Sequence, residues 1–113
     1  MRSFPSRPPL LHVFHTCIGH SPERILLSTM DTENDWSIIA NEIEILKPEL
    51  RWEGADVKPE PSRPAESRRR VNQLRDPYIF RDVNEETGEE ELFMYYAGGG
   101  ESGIGVVRLQ REC

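Results

Sequence analysis

The chain has 113 residues, of which 30% are charged and 36% hydrophobic. A chain of this length folds as one domain around a single small core. Nine prolines and eight glycines interrupt it often, which favours β-structure with loops over a helical bundle. The net charge of −6 argues against a nucleic-acid partner. No apolar run approaches the length of about 18 residues that a membrane span requires.

Cysteine usage indicates the redox compartment. The two cysteines are Cys17, beside a predicted strand, and Cys113, at the end of the chain, and we expect no structural disulfide between them. Cysteines are scarce, and no basic segment followed by an apolar one opens the chain, so the sequence predicts a soluble protein in a reducing, cytoplasmic setting.

In chain order, residues 1–9 contain three prolines and two arginines, and we expect an extended, weakly held lead-in rather than a fold element. Alternating apolar and polar residues, or β-branched and aromatic runs, then predict an all-β chain with about six strands. These strands cover residues 10–16, 24–30, 42–46, 78–82, 91–97 and 103–109.

Strand signals stop between residues 47 and 74. A loop of this length is usually functional or disordered. Its arginines either face a ligand or lie in a solvated, partly disordered loop, and the sequence leaves both interpretations open. They are Arg63, Arg68, Arg69 and Arg70, with Arg75 just beyond.

Two hairpins in the chain are alike in sequence. Residues 11–16 align with 92–97, and residues 25–27 align with 104–106, each pair about 80 positions apart, with a glycine-containing turn between the strands. Two copies of a strand, glycine loop and strand are typical of a radial repeat. Chance likeness between two hairpins is the alternative.

The segment Arg75-Asp76-Pro77 lies at the predicted start of a strand. Pro77 fixes φ at the first strand residue, where its missing N–H costs no ladder bond, and it biases Asp76 toward an extended conformation. A carboxylate held on such a rigid strand start suits catalysis. Alternatively, Asp76 hydrogen-bonds the backbone and has a structural role.

The sequence RDPYIF, followed by an acidic turn and LFMYYAGGGESGIGVVRL, resembles a blade of the five-bladed β-propeller glycoside hydrolases, which include arabinanases, β-xylosidases, levansucrases and invertases. The resemblance is most specific over residues 74–109. Even a four-bladed ring needs about 160 residues, so the chain cannot close a propeller alone. The resemblance therefore implies the C-terminal part of a longer propeller, with blade-like units at 10–46 and 75–109.

The resemblance implies that Asp76 binds the sugar and stabilises the transition state. Glycoside hydrolysis needs a second, acidic carboxyl group, for which Glu101 and Glu53 are the candidates, although Glu53 precedes Asp76 and the acid of the family follows it. The family's base or nucleophile lies on a first blade that this chain lacks. Arg75, Trp52 and Tyr78 are candidate sugar-binding residues.

We therefore expect a carbohydrate-active propeller fragment that is catalytically incomplete alone, so whether it is an enzyme stays open. A non-catalytic carbohydrate-binding or protein-interaction domain is the alternative, and an unrelated β-sandwich is a further one. Three histidines, His12, His15 and His20, have no second ligand set at diagnostic spacing, so no metal or cofactor is predicted. Because a partial propeller leaves strand edges uncovered, we expect a homo-oligomer and no membrane partner.

Overall fold

The computed structural model describes residues 1–5, 10–63 and 69–112. Within these ranges the chain is all-β apart from one short 3-10 helix at Arg51–Glu53, as the sequence predicts. The strands are β1 (Arg2–Pro5), β2 (Leu10–His15), β3 (Ile25–Asp31), β4 (Ser37–Leu46), β5 (Leu74–Val83), β6 (Glu90–Gly98) and β7 (Gly103–Glu112). Each of the six predicted strands overlaps one of β2 to β7, although β4 begins five residues and β5 four residues before the predicted starts.

The strands form two open sheets. One has four strands in the order β1-β7-β6-β5, and the other has three in the order β2-β3-β4. All neighbouring strands are antiparallel except β1, which pairs in parallel with β7. Both predicted hairpins are therefore present, one in each sheet. No helix in the described ranges is long and apolar enough to cross a bilayer.

Strand β1 corrects the prediction of a weakly held lead-in. Phe4 is only 2% exposed, and its ring meets the rings of His12 and Phe14 edge-on, with centroids 5.4 Å apart in both pairs. Since β1 pairs with β7 in one sheet while Phe4 packs on β2 of the other, this segment connects the sheets. The rest of the predicted lead-in, residues 6–9, lies outside the described residues, as do residues 64–68, including Arg68, and Cys113.

One hydrophobic core lies between the sheets. Alternation along β6 turns Leu92, Met94 and Tyr96 inward, while Tyr95 between them stays exposed, as expected for a strand with one buried face. The buried core residues are Phe4, Ile25, Leu27, Ile45, Leu46, Leu74, Leu92, Met94, Tyr96 and Leu109.

Strand β5 contains an irregularity at the Arg-Asp-Pro segment. Arg75 pairs with Ala97 and Tyr78 with Tyr95, so β5 has one extra residue between these pairs, as in a β-bulge. Asp76 has φ 55, so the expectation that Pro77 holds it extended is wrong. Because β5 begins at Leu74, Asp76 also lies inside the strand and not at its entrance. Pro77 has no N–H for the ladder, which is why proline in a strand favours a bulge.

The segment between β4 and β5 has no strand in its described parts, residues 47–63 and 69–73. It is nevertheless packed, because Glu53, Ser62 and Val71 are buried. Of its arginines, Arg70 pairs with Asp56 and Arg69 pairs with Glu60. These two guanidinium groups therefore serve contacts within the loop.

Candidate functional site

Trp52 connects the long loop to the four-stranded sheet. Its indole stacks on the ring of Tyr96, with centroids 5.9 Å apart and planes inclined by 26°. The ring lies where β6 and β7 have no side chains: a Cβ at Gly98 would come within 2.6 Å of the indole, and one at Gly105 within 2.7 Å. Gly98 and Gly105 therefore leave a flat surface on the sheet, and the indole of Trp52 covers it.

Glu53 is 1% exposed and binds three donors. Its Oε1 accepts hydrogen bonds from the backbone N–H groups of Glu49 and Leu50, at 3.0 and 2.9 Å. Its Oε2 accepts one from the Tyr96 hydroxyl at 2.5 Å. Burial, and then the hydrogen bond to Glu53, raise the pKa of Tyr96. The Glu53 carboxylate therefore connects the loop to β6. The role of Glu53 as a catalytic acid stays a prediction.

Gly54 lets the loop approach the chain before β5. Its φ of 88 is left-handed, and a Cβ there would come within 1.9 Å of the Val71 carbonyl oxygen. Beside it, Gly99 N–H donates to the Glu53 carbonyl at 3.0 Å, and Gly100 N–H donates to the Gln73 carbonyl at 3.1 Å. Residues 52–54 thus hold the glycine turn between β6 and β7.

Arg75 lies in a buried polar cluster between the two sheets. Its Nη2 is 3.7 Å from Oε1 of Glu23 and its Nη1 is 3.4 Å from Oε1 of Glu101, and it donates to the side-chain oxygen of Gln73. Glu23 also accepts a hydrogen bond from the Thr16 hydroxyl at 2.8 Å. The Arg75 guanidinium therefore joins β5, the segment before β3 and the glycine turn. Binding of a sugar by Arg75 stays a prediction.

The Asp76 side chain is exposed and makes no hydrogen bond or ion pair with any residue that the structure describes. The Glu101 side chain is 35% exposed. Arg75 is the ion-pair partner of Glu101 and the chain neighbour of Asp76. Tyr78 is 66% exposed. Among the described residues, no hydrogen bond joins Glu53 to Asp76 or Glu101.

Sequence reasoning missed Glu23, Gln73 and Tyr96 as members of this region. A buried arginine needs acidic partners, but nothing local distinguishes Glu23 among the 20 acidic residues of the chain. Gln73 stands two positions before Arg75, a spacing that puts side chains on one side of an extended segment. That spacing was the one available signal.

No protein-family model matches the chain, and no solved structure matches it. An uncharacterized protein of Acanthamoeba polyphaga mimivirus is 39% identical to it over 104 residues. The match covers 89% of this chain and 28% of the viral protein. The chain thus spans little more than a quarter of the length of this relative, whose name states no activity.

A methyl group added at Gly98 tests the contact with Trp52. We expect Gly98→Ala to lower the free energy of unfolding by about 1–3 kcal/mol, because the methyl overlaps the indole. In a Trp52→Ala background the same change should cost much less. Urea unfolding of the four proteins gives the coupling energy.

Gly105→Ala is the matched control for this cycle. Its methyl would also come within 2.8 Å of the Tyr96 ring, so a larger part of its cost should persist after Trp52→Ala than for Gly98→Ala. Equal costs of Gly98→Ala with and without the indole would contradict the packing described for Trp52.

Tyr96→Phe tests the buried hydroxyl. We expect a loss of about 1–3 kcal/mol at neutral pH, because Glu53 loses a donor. The raised pKa of Tyr96 means that the native state holds the phenolic proton more tightly than the unfolded chain. The stability that it contributes is therefore complete below about pH 10, the ordinary pKa of tyrosine, and is lost as the pH rises above it. Urea unfolding of both proteins across the alkaline range should give a shallower decline for Tyr96→Phe, and parallel declines would refute this.

Proposed function

We propose that the chain is a segment of a carbohydrate-active protein of the five-bladed β-propeller type, in which Asp76 faces the sugar. The observation that carries this proposal is the state of Asp76. It is exposed, has no partner among the described residues, and has φ 55 immediately before a proline. Such a backbone conformation costs on the order of 1–3 kcal/mol in a non-glycine residue, and strain of this kind concentrates at functional sites.

The sheet topology supports the propeller interpretation. β2-β3-β4 and β5-β6-β7 are both runs of three antiparallel strands, as two neighbouring blades would supply, and β1 is added to the second run in parallel with β7. Five blades of about 40–50 residues need about 200–250 residues. The chain covers only 28% of its viral relative, so a protein of that length has room for the remaining blades.

The proposed chemistry needs two carboxylates, for which Asp76 and Glu101 are the candidates. In glycoside hydrolysis the sugar develops positive charge at the transition state, and an ionised Asp76 stabilises it. Glu101 is the second carboxylate of the site, and the exposed ring of Tyr78 offers a surface on which a sugar can stack. The 113 residues include no counterpart of the family's first-blade aspartate, so we expect them to bind sugar without turning it over, in the reducing, cytoplasmic setting that the cysteine usage indicates.

Asp76→Asn removes the charge and keeps the shape. We expect wild-type amide resonances near Asp76 to shift on titration with arabinosides, xylosides or sucrose, and we expect these shifts to disappear in Asp76→Asn. The free energy of unfolding should stay within about 0.5 kcal/mol, as for other exposed positions. Asp82→Asn on the same strand is the matched control and should keep the shifts.

Two results would overturn the proposal. One is the absence of any sugar-dependent shift in the wild-type chain at millimolar sugar. The other is a marked loss of stability in Asp76→Asn with unchanged sugar binding, which would assign Asp76 a structural role. Turnover of aryl glycosides by the wild-type chain, abolished in Asp76→Asn, would instead show that the chain is catalytically complete.

A second candidate function is self-association, and the outward face of β5-β6-β7 favours it. Tyr78, Tyr95 and Val106 lie opposite one another across the three strands and are 66%, 43% and 52% exposed. Phe80 and Ile104 are exposed on the same strands. In a closed propeller a neighbouring blade covers such a face. For this chain alone we propose that a second copy covers it, in a symmetric dimer.

Val106→Lys tests this dimer. A lysine in the middle of an apolar interface should dissociate it, because the buried ammonium has no partner. Gln110→Lys, exposed further along β7, is the matched control and should leave the dimer intact. Light scattering at micromolar concentration measures both. A monomeric wild-type chain that binds no hydrophobic dye would contradict self-association.

A further inference from the structure

Three metal-binding side chains converge on one side of the sheet β2-β3-β4. The donor atoms of His15, Cys17 and Glu42 all lie within 4.8 Å of one another. The Cys17 sulfur is 4.0 Å from Nδ1 of His15 and 3.3 Å from Oε1 of Glu42. We propose that these three side chains form a binding site for a zinc-type divalent metal ion.

The strands bring the ligands together. His15 is the last residue of β2, Cys17 follows two residues later, and Glu42 lies on β4 beyond the intervening β3. The register of β3 and β4 shifts after the Leu27–Ile43 pair, so that Ser28 faces the two residues 41 and 42. This shift sets Glu42 beside Ser28 and the end of β2. Glu42 is 25 residues from Cys17 in sequence, so spacing along the chain could not predict this ligand.

Ser28 orients the histidine. Its hydroxyl oxygen is 2.9 Å from Nε2 of His15, while Nδ1 of the same ring faces the Cys17 sulfur. When Nε2–H donates to the hydroxyl, Nδ1 has its lone pair free for a metal ion. A hydrogen bond to the second ring nitrogen is the usual means of fixing a metal-binding histidine. Ser28 is therefore a positioning residue of the site.

The donor distances suit a tetrahedral ion. Zinc bonds of about 2.3 Å to sulfur and about 2.0–2.2 Å to nitrogen and oxygen put neighbouring donors about 3.5 Å apart. The two separations at Cys17 lie on either side of that value and the third lies within 4.8 Å, so binding an ion would draw the side chains together. A thiolate, an imidazole and a carboxylate together favour zinc over magnesium or calcium, which take oxygen ligands. Three protein ligands leave a fourth position for water or a further ligand.

The Cys17 thiol keeps its proton in the metal-free protein, so a metal ion has to displace that proton. It donates a hydrogen bond to Glu42, and burial together with this carboxylate raises the pKa of Cys17. Glu23 acts in the same direction, and Arg24 opposes it. Metal binding replaces the proton between sulfur and carboxylate: the S–H bond breaks, a metal–sulfur bond forms, and one proton is released. Glu42 is exposed, so the ion has an entry path.

The test uses the full chain with Cys113→Ser, so that Cys17 is its one thiol. After treatment with a chelator, the protein is titrated with zinc against a chromophoric competitor and with cobalt for its absorption spectrum. We expect one ion per chain and a sulfur-to-cobalt charge-transfer band. Cys17→Ser should abolish the band, and Glu42→Gln and Ser28→Ala should each weaken zinc binding by at least about tenfold.

Glu44→Gln is the matched control, because Glu44 lies two residues further along β4 and pairs with Arg24 at 3.0 Å. It should bind zinc as the parent does. Zinc binding that survives Cys17→Ser unchanged, or the absence of the charge-transfer band in the parent, would overturn the site. Circular dichroism checks the fold of each variant. If Cys17→Ser does not fold, the comparison of Glu42→Gln with Glu44→Gln decides, and equal affinities there reject the site.

Discussion

The packing of Trp52 against a strand surface without side chains is the constraint on which the rest of the site depends. Gly98 and Gly105 leave room for the indole, and the ring brings Glu53 to the hydroxyl of Tyr96. The backbone of Glu53 then accepts from Gly99, which positions the turn that carries Glu101. The described part of the long loop is thus held against the sheet by the ring of Trp52 and the buried carboxylate of Glu53.

The buried cluster at Arg75 has a different function from the hydrophobic core. The desolvation free energy of buried charges exceeds the electrostatic free energy that an ion pair of imperfect geometry gains. Such clusters therefore contribute little stability, and their role is to favour one arrangement of the chain. Here the guanidinium reaches Glu23 at the approach to β3 and Glu101 in the glycine turn. It thereby relates the two sheets to one another. It also fixes the residue immediately before Asp76, so that the bulge of β5 has a defined position.

Much of the fold was predictable from the sequence, because period-2 alternation and β-branched runs are local properties of each strand. The six predicted strands match β2 to β7 for that reason. β1 was missed since its stability depends on Phe4 reaching the core and on pairing with β7, more than 100 residues away. The predicted conformation of Asp76 was wrong because the preference that a following proline imposes is weaker than the need of β5 to keep its hydrogen bonds to β6 on both sides of Pro77. The candidate carboxylates were identifiable by motif, but their partners come from distant parts of the chain.

The three candidate catalytic carboxylates differ in whether neighbouring groups pair with them. Glu53 binds three donors in a buried position, and Glu101 shares Arg75 with Glu23. In both cases neighbouring groups already compensate the negative charge. Asp76 has no such partner among the described residues, and its left-handed backbone carries a conformational cost that no contact of its side chain offsets. The bulge of β5 at Pro77 accounts for the backbone conformation of Asp76, whereas its carboxylate is left available to a group outside the described residues. The proposed sugar site rests on that available carboxylate, because a developing positive charge on a sugar would pair with it.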